Sequence, residues 1–327
     1  MYTLGIESSC DETSCAVLSG YRVLSNATIS SLSEHKKYGG VVPEIATRAH
    51  LKNINKVLEG ALEEAGVALK NIGLVAVTNR PGLIGALVVG TSFAQAMSMA
   101  LSRPLVGVNH LHAHLFAPFL NSRGPKFPFI GLVVSGGHTE IYRVDDFDRI
   151  KIIGRTRDDA CGEVYDKVAR AFGLGYPGGP ILDRRFDPEL KDVFKFKCGR
   201  MGMDLSFSGI KTAVIYKKME LEKSGSLCPA VVAGLLSSFQ ESVVTAIVAA
   251  VADAVVATGI KRVVCGGGVV ANSYLRAKLA GLPSDIKMLL SERVYSTDNA
   301  AIVAGLGFYM YNKKGVKTGI NLKVEAN

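Results

Sequence analysis

No two cysteines in this chain stand at the close paired spacing of a zinc knuckle, which argues against a thiolate-built structural zinc site. The six of them (Cys10, Cys15, Cys161, Cys198, Cys228 and Cys265) fall largely in apolar or glycine-rich stretches, unlike a loop-rich disulfide scaffold. A reducing compartment, the cytoplasm, is the expected home. A secretory leader is not expected, because Met1-Tyr-Thr-Leu-Gly-Ile-Glu7 meets a charge before any apolar segment forms. The apolar runs do not read as membrane spans either. The greasiest, Val243 to Val256, carries Asp253, is flanked by Glu241, and reads as a buried helix, so no membrane partner is expected.

What is present is enough chain, 327 residues with 48% hydrophobic content, for two well-packed lobes. The formal net charge of +9 points to a polyanionic partner, nucleic acid above all. Ordinary lysine-rich surface accounts for it equally well, since the basic residues are scattered apart from Lys211, Lys217, Lys218 and the C-terminal lysines.

Strand signals alternate with helical stretches, the pattern of an α/β architecture. Tyr2-Thr-Leu-Gly-Ile6 and Ser14-Cys-Ala-Val-Leu18 read as strands joined by the polar turn Glu7 to Thr13. Phe129-Ile-Gly-Leu-Val-Val134 and Glu140-Ile-Tyr-Arg-Val144 repeat the device around Ser135-Gly-Gly-His-Thr139. Such a repeat predicts two related lobes. Turns of this kind present backbone N–H groups to phosphate oxygens, although tight turning alone is the commoner use of glycine. A third glycine run, Gly266-Gly-Gly268, follows the strand Lys261 to Cys265 and leads into a helical stretch from Val269 to Leu275. Gly266-x-Gly268-x-x-Ala271 formally matches a dinucleotide fingerprint, with Glu292 as the ribose acid. Too little chain follows Glu292 to complete that sheet, so a single adenine nucleotide is the better fit. Asn79-Arg-Pro-Gly82 follows a strand at Leu74 to Thr78 and opens a helix with small residues on one side, suited to close packing or to an anion. Asp183 to Met203 reads as a charged surface excursion, and the tail after Asn312 as peripheral.

The sharpest chemical signal is Asn109-His-Leu-His-Ala-His-Leu-Phe-Ala-Pro118. Asn109 is a good helix cap behind the strand Pro104 to Val108, and His110 and His114, at i and i+4, share one helix face. His112 projects elsewhere. A carboxylate to complete a metal site lies far downstream at Asp298, read as first-turn acid of a helix capped by Ser296 or Thr297. Acids favour helix N-termini anyway. Two imidazoles and a carboxylate leave coordination positions open, as iron(II), zinc or manganese require in catalysis.

Together these stretches resemble the universal tRNA threonylcarbamoyladenosine-synthesis transferase family, formerly described as O-sialoglycoprotein endopeptidases, in its bacterial and organellar branch. The likeness runs through Gly5-Ile-Glu-Ser-Ser-Cys-Asp-Glu-Thr13, Tyr38-Gly-Gly-Val-Val-Pro-Glu44, Pro81-Gly-Leu-Ile-Gly-Ala86 and the histidine motif. It continues through Val133 to Thr139, Tyr165-Asp-Lys167, Tyr176-Pro-Gly-Gly-Pro180, Phe207-Ser-Gly-Ile-Lys-Thr212, Gly266 to Asn272 and Ser296-Thr-Asp-Asn299. The resemblance implies an actin-like, sugar-kinase-type α/β fold of two lobes around a nucleotide cleft. We expect one lobe at residues 1–115, completed by 295–327, and the other at 116–294. The implied reaction moves a threonylcarbamoyl group from its adenylate to N6 of the adenosine beside the tRNA anticodon, releasing AMP.

By the same resemblance His110, His114 and Asp298 hold one divalent metal, iron(II) foremost with zinc or manganese as alternatives. Val133, Val134, Ser135, Gly136, Gly137, Asp166, Gly179, Asp183 and Asn272 take ATP or the adenylate. Asp11 and Glu12 lie by the reactive end. A carboxylate there can help the attacking amine lose its proton, or simply cap the hairpin turn. Asn272 is a ligand to adenine or ribose, or only a helix cap; Asp166 and Asp183 bind ribose or sit on a solvated surface. The implied partners are tRNA, threonylcarbamoyl-adenylate, a paralogous inactive subunit and a small ATPase. The chain departs from the family pattern at His112-Ala113, and at Arg80, where a glycine usually precedes Pro81-Gly82. Two other classes compete: a metallopeptidase, although the glutamate of a metalloprotease helix is missing between the histidines, and an ATP-binding scaffold subunit.

Overall fold

The computed structural model describes residues 1–319 and 321–326. The chain divides into two compact units, Met1–Lys126 with Ser291–Asn327, and Phe127–Leu290.

The first unit opens with an antiparallel meander of β1 (Tyr2–Glu7), β2 (Glu12–Ser19) and β3 (Arg22–Ser30). After α1 (Leu32–His35) and the long α2 (Pro43–Ala65), β4 (Ile72–Arg80) pairs parallel to β1. Then α3 (Ile84–Leu101) crosses over to β5 (Leu105–Asn109), parallel to β4, and α4 (His110–Phe116) leaves the strand directly. The sheet order is β3-β2-β1-β4-β5. Strands β1, β2 and β4 are buried along most of their length, as sheets covered on both faces must be.

The second unit repeats this plan. A meander of β6 (Phe129–Val134), β7 (Thr139–Asp146) and β8 (Arg149–Arg155) is followed by α5 (Cys161–Ala171) and α6 (Gly178–Arg184). The hairpin β9 (Gly199–Met201) and β10 (Asp204–Ser206), then α7 (Ser208–Lys223) and α8 (Pro229–Thr258), lead to β11 (Arg262–Gly266), parallel to β6. After α9 (Ser273–Ala280), β12 (Lys287–Leu290) pairs parallel to β11. The order β12-β11-β6-β7-β8 is the first sheet's order again, a meander extended by two parallel strands. The repeated hairpins of the sequence are thus the first two strands of two equivalent sheets. The final helix, α10 (Ala300–Lys314), returns to the first unit.

Two helices, α3 and α8, are long and apolar enough to cross a membrane by length and composition. Both lay a face into a core: Leu236, Phe239, Val243, Ile247 and Val251 of α8 pack beneath β6 and β11, and Ala94 of α3 joins the core under β1 and β4. All six cysteines are free, and four are buried.

Three local readings of the sequence need correction. Asp298 is not in the first turn of its helix: Asn299 is the cap, its Oδ1 accepting from the Ala301 and Ile302 N–H groups. Ser296 cannot do that work because its hydroxyl is engaged with Ser291 Oγ and the Glu292 carbonyl. The stretch Val269 to Leu275 is not one helix but a 3-10 turn and α9, broken at Asn272. The tail is not peripheral. Leu322 is buried with the β4–β5 core, and backbone bonds from Thr318 N–H to the Leu105 carbonyl and from Glu325 N–H to the Asn79 carbonyl fasten it. Arg80 ends β4 and pairs with Glu325 at 3.1 Å.

Candidate metal and nucleotide sites

At the end of β5, Asn109 caps α4 through its side chain, which accepts from Leu111 N–H at 2.8 Å and His112 N–H at 3.1 Å. That cap starts the helix at His110, so His110 and His114 rise on one face with ring centroids 4.6 Å apart. Asp298 reaches them from the other end of the chain. Its position is fixed by the start of α10, where Ala300 N–H donates to Ser14 Oγ on β2 and Ala301 N–H to Asn26 Oδ1 on β3. Gly5 on β1 allows this approach, since a Cβ there would lie 2.3 Å from the Ala300 carbonyl oxygen.

The Nε2 atoms of His110 and His114 lie 3.4 and 3.2 Å from Asp298 Oδ1. One donor atom from each residue falls within 4.8 Å of the others. Ligands bonded at about 2.1 Å to one ion have edges of about 3.0–3.4 Å, the range of the two histidine–aspartate distances, so these donors could hold a divalent cation. Burial disfavours charge on His110, yet the Asp298 and Glu7 carboxylates hold its imidazolium well above the usual histidine range. Asp298 is held well below the carboxylate range by the same histidine, which outweighs its burial.

Reading the sequence for ligands alone missed Glu7, the last residue of β1, which is fully buried. Its Oε2 accepts from His110 Nδ1 at 3.0 Å and from Thr78 Oγ1 at 2.6 Å, and its Oε1 from Ser9 N–H at 2.6 Å. The available signal was a charge closing a buried apolar strand. His112 lies outside the triad; burial and then Arg80 push its pKa down to about 4. The glycines after β4 serve close packing: a Cβ at Gly82 would meet the Ser9 carbonyl at 2.6 Å and one at Gly90 the Ser8 hydroxyl at 2.2 Å.

Asp11 and Glu12 stand at the β1–β2 turn. The Asp11 carbonyl accepts from Ser31 N–H and Ser31 Oγ, both at 2.9 Å, and the Cys10 carbonyl lies 3.0 Å from His50 Nε2. Burial, with the negative charges of Asp298 and Asp11, pushes the Glu12 carboxyl up to about 10.

The residues assigned to the nucleotide all fall in the second unit. Val133 and Val134 end β6 in the core, and Ser135 closes the next turn, its N–H donating to the His138 carbonyl at 2.8 Å. Gly136 and Gly137 are exposed with open space where a Cβ would stand, as at Gly179. Gly267 (φ 99°) passes so close to Val134 that a Cβ would lie 2.4 Å from its carbonyl oxygen. Asp166 accepts from Gly178 N–H at 2.6 Å; burial raises its pKa to about 6 against that bond. Asp183 accepts from Ser273 N–H through both oxygens at 3.0 Å, and Asn272 caps α9 through Leu275 N–H at 2.8 Å. Asp183, Asn272 and Ser273 therefore meet at one helix start. Asp166 and Gly179 meet at another.

Residues 22–305 match the family described as tRNA N6-adenosine threonylcarbamoyltransferase. The chain belongs to this family. It is 47% identical to the tRNA N6-adenosine threonylcarbamoyltransferase of Dictyoglomus turgidum, over 98% of this chain and 97% of that protein. The enzyme of the same name from Thermosipho africanus is 45% identical, over 100% and 99%. The chain is therefore a transferase. Among solved structures, HypF of T. kodakarensis superposes with a TM-score of 0.61 at 12% identity, over 95% of this chain and 48% of that one. Component A of the Acidaminococcus fermentans (R)-2-hydroxyglutaryl-CoA dehydratase gives 0.55 at 15%, over 97% and 100%. These likenesses show the fold, a mixed α/β fold of the actin-like class.

Proposed function

We propose that this transferase moves a threonylcarbamoyl group from threonylcarbamoyl-adenylate to N6 of the adenosine next to the anticodon in tRNA, releasing AMP. The observation that carries the reading is the His110–His114–Asp298 triad in a chain of this family. In the transfer, the exocyclic amine attacks the carbamoyl carbon, a C–N bond forms, the bond to the AMP oxygen breaks, and N6 gives up one proton. The donor is a mixed anhydride and already activated, so no protein nucleophile is needed. Orientation supplies much of the rate.

His110, His114 and Asp298 hold the divalent cation, iron(II) being the leading identity for this nitrogen and oxygen set. When bound, it supplies Lewis-acid polarisation and an anchor for the threonyl group. Asp11 and Glu12 take the N6 proton. Glu12 does so only when ionised, and two positive charges held beside Asp298 remove the largest of the charge effects that keep it protonated. For the adenylate, Gly136 and Gly137 offer backbone N–H groups beside open space, and Gly179 leaves room for the ligand beside Asp166. Val133, Val134 and Ser135 shape the wall. Asp166, Asp183 and Asn272 bind base and ribose with the atoms their caps leave over.

The net charge of +9 fits a tRNA partner. A paralogous inactive subunit and a small ATPase complete the proposed system in the cytoplasm, with the adenylate made by a separate enzyme. The test incubates purified protein, with these partners, synthetic threonylcarbamoyl-adenylate and tRNA, and reads nucleosides by mass spectrometry. Threonylcarbamoyladenosine that disappears in His110→Ala and Asp298→Ala supports the proposal. Unmodified tRNA from the complete mixture refutes it.

A further inference from the structure

Outside the proposed metal donors, one buried charge stands against them. Glu7 is 0% exposed, and its two oxygens accept three hydrogen bonds, from Ser9 N–H, Thr78 Oγ1 and His110 Nδ1. Its partners follow from the sheet: β1 and β4 run parallel with Ile6 opposite Val77, which sets Glu7 beside Thr78 at the strand ends. The carboxylate meets the ring nitrogen of His110 remote from Asp298, whereas Nε2 is the atom turned toward Asp298. His114 has no such support: its Nδ1 is buried with no hydrogen-bond partner among the described residues.

We infer that Glu7 is a positioning residue that keeps the His110 proton on Nδ1, so that Nε2 presents its lone pair to a divalent cation. The inference rests on the metal reading above and goes beyond it. An ionised carboxylate is acceptor-only, so an imidazole nitrogen facing it must carry hydrogen. A carboxylate behind a ligating imidazole also fixes the ring's orientation and raises its basicity.

Glu7→Gln separates this role from mere packing because it keeps the shape and replaces one acceptor by a donor. The Ser9 backbone N–H can only donate, so the glutamine oxygen is expected to stay with Ser9. Its amide group then faces Thr78, whose hydroxyl can turn and accept, and His110, which must accept at Nδ1. The His110 proton moves to Nε2 and blocks the ligand position. Thr78→Val removes another hydrogen bond to the same oxygen and leaves the imidazole contact in place.

The experiment measures Zn(II) affinity by chelator competition in the unmodified protein, Glu7→Gln and Thr78→Val, with folding checked by circular dichroism. Nitrogen-15 histidine spectra of the zinc-loaded unmodified protein are recorded beside it. The expected result is a loss of about 10- to 100-fold in Glu7→Gln. Thr78→Val should stay within a few-fold of the unmodified protein, whose His110 carries its proton on Nδ1. Equal affinity in Glu7→Gln, an equal loss in Thr78→Val, or a bare Nδ1 overturns the inference. The spectra decide the matter even if Glu7→Gln does not fold. An unmodified protein that takes up no zinc overturns the metal reading itself, an outcome distinct from the other three.

Discussion

Replacing Gly90 by alanine adds one methyl group to α3 where it faces the Ser8–Ser9 turn. Helix propensity favours the change by about 1 kcal/mol. Packing opposes it. The new Cβ would lie 2.2 Å from Ser8 Oγ and 3.2 Å from Ser8 Cβ, and Ser8 is fully buried. The hydroxyl must move, which breaks its 2.9 Å hydrogen bond to the Ala86 carbonyl. A buried group left unsatisfied costs about 1–3 kcal/mol, and overpacking a dense site about as much again. The opposing terms win, leaving a net loss of about 2–3 kcal/mol. For a domain of this size that lowers Tm by about 5–10 °C. Thermal and urea unfolding of Gly90→Ala, Ser8→Ala and the double variant test the cause. With the hydroxyl gone, the 3.2 Å contact to Ser8 Cβ is the tightest that remains, beside an ordinary 3.8 Å contact to Ile6. The double variant should therefore be more stable than the sum of the single losses by about 1 kcal/mol or more. A stabilised Gly90→Ala, or strictly additive losses, refutes the reasoning.

Three further outcomes are expected. Divalent cation at a hundred times its Kd stabilises a protein by about 2.7 kcal/mol, and calorimetry should show that gain in the unmodified protein and none in Asp298→Ala. Asp166, its pKa raised to about 6 by burial, favours folding fully below its unfolded value near 4 and loses that contribution as pH rises through 6. Asp166→Asn should match the unmodified protein near pH 4 and exceed it above pH 7 by about 1–2 kcal/mol after solvent screening. An unmodified protein that is the more stable of the two at pH 8 contradicts this. Carbon-13 titration should find Glu12 protonated at pH 8 without cation and ionised at lower pH once cation is bound, because the Asp298 charge is then offset; an unmoved titration removes Glu12 from contact with that charge.

Much of the site was legible because its pieces are local. Asn109, His110 and His114 lie within six residues, and a cap followed by i and i+4 spacing fixes a helix face without tertiary help. The run Phe129–Val134 is a strand from end to end, buried throughout, as an unbroken apolar segment requires. The repeated hairpins foretold two like units. Asp298 was found as a residue but misplaced, since four adjacent cap-type or acidic residues, Ser296 to Asn299, compete and only bonds to Ser291 and Glu292 take Ser296 out.

The rest belonged to the tertiary structure. Whether the glycines from Gly82 to Gly90 bind an anion or a neighbour turned on Ser8 and Ser9, far away in sequence. Asn272 and Asp183 act as caps for α9, a use visible only once their neighbours are placed. Glu7 gained Thr78 and His110 as partners from two distant segments, and His114 meets Asp298 across 184 residues of chain. Periodicity and capping act over one or two turns, and so the sequence by itself determined elements, repeats and candidate donors. Which donors converge, and which proton each carries, depended on desolvation and hydrogen bonds that exist only in the packed interior.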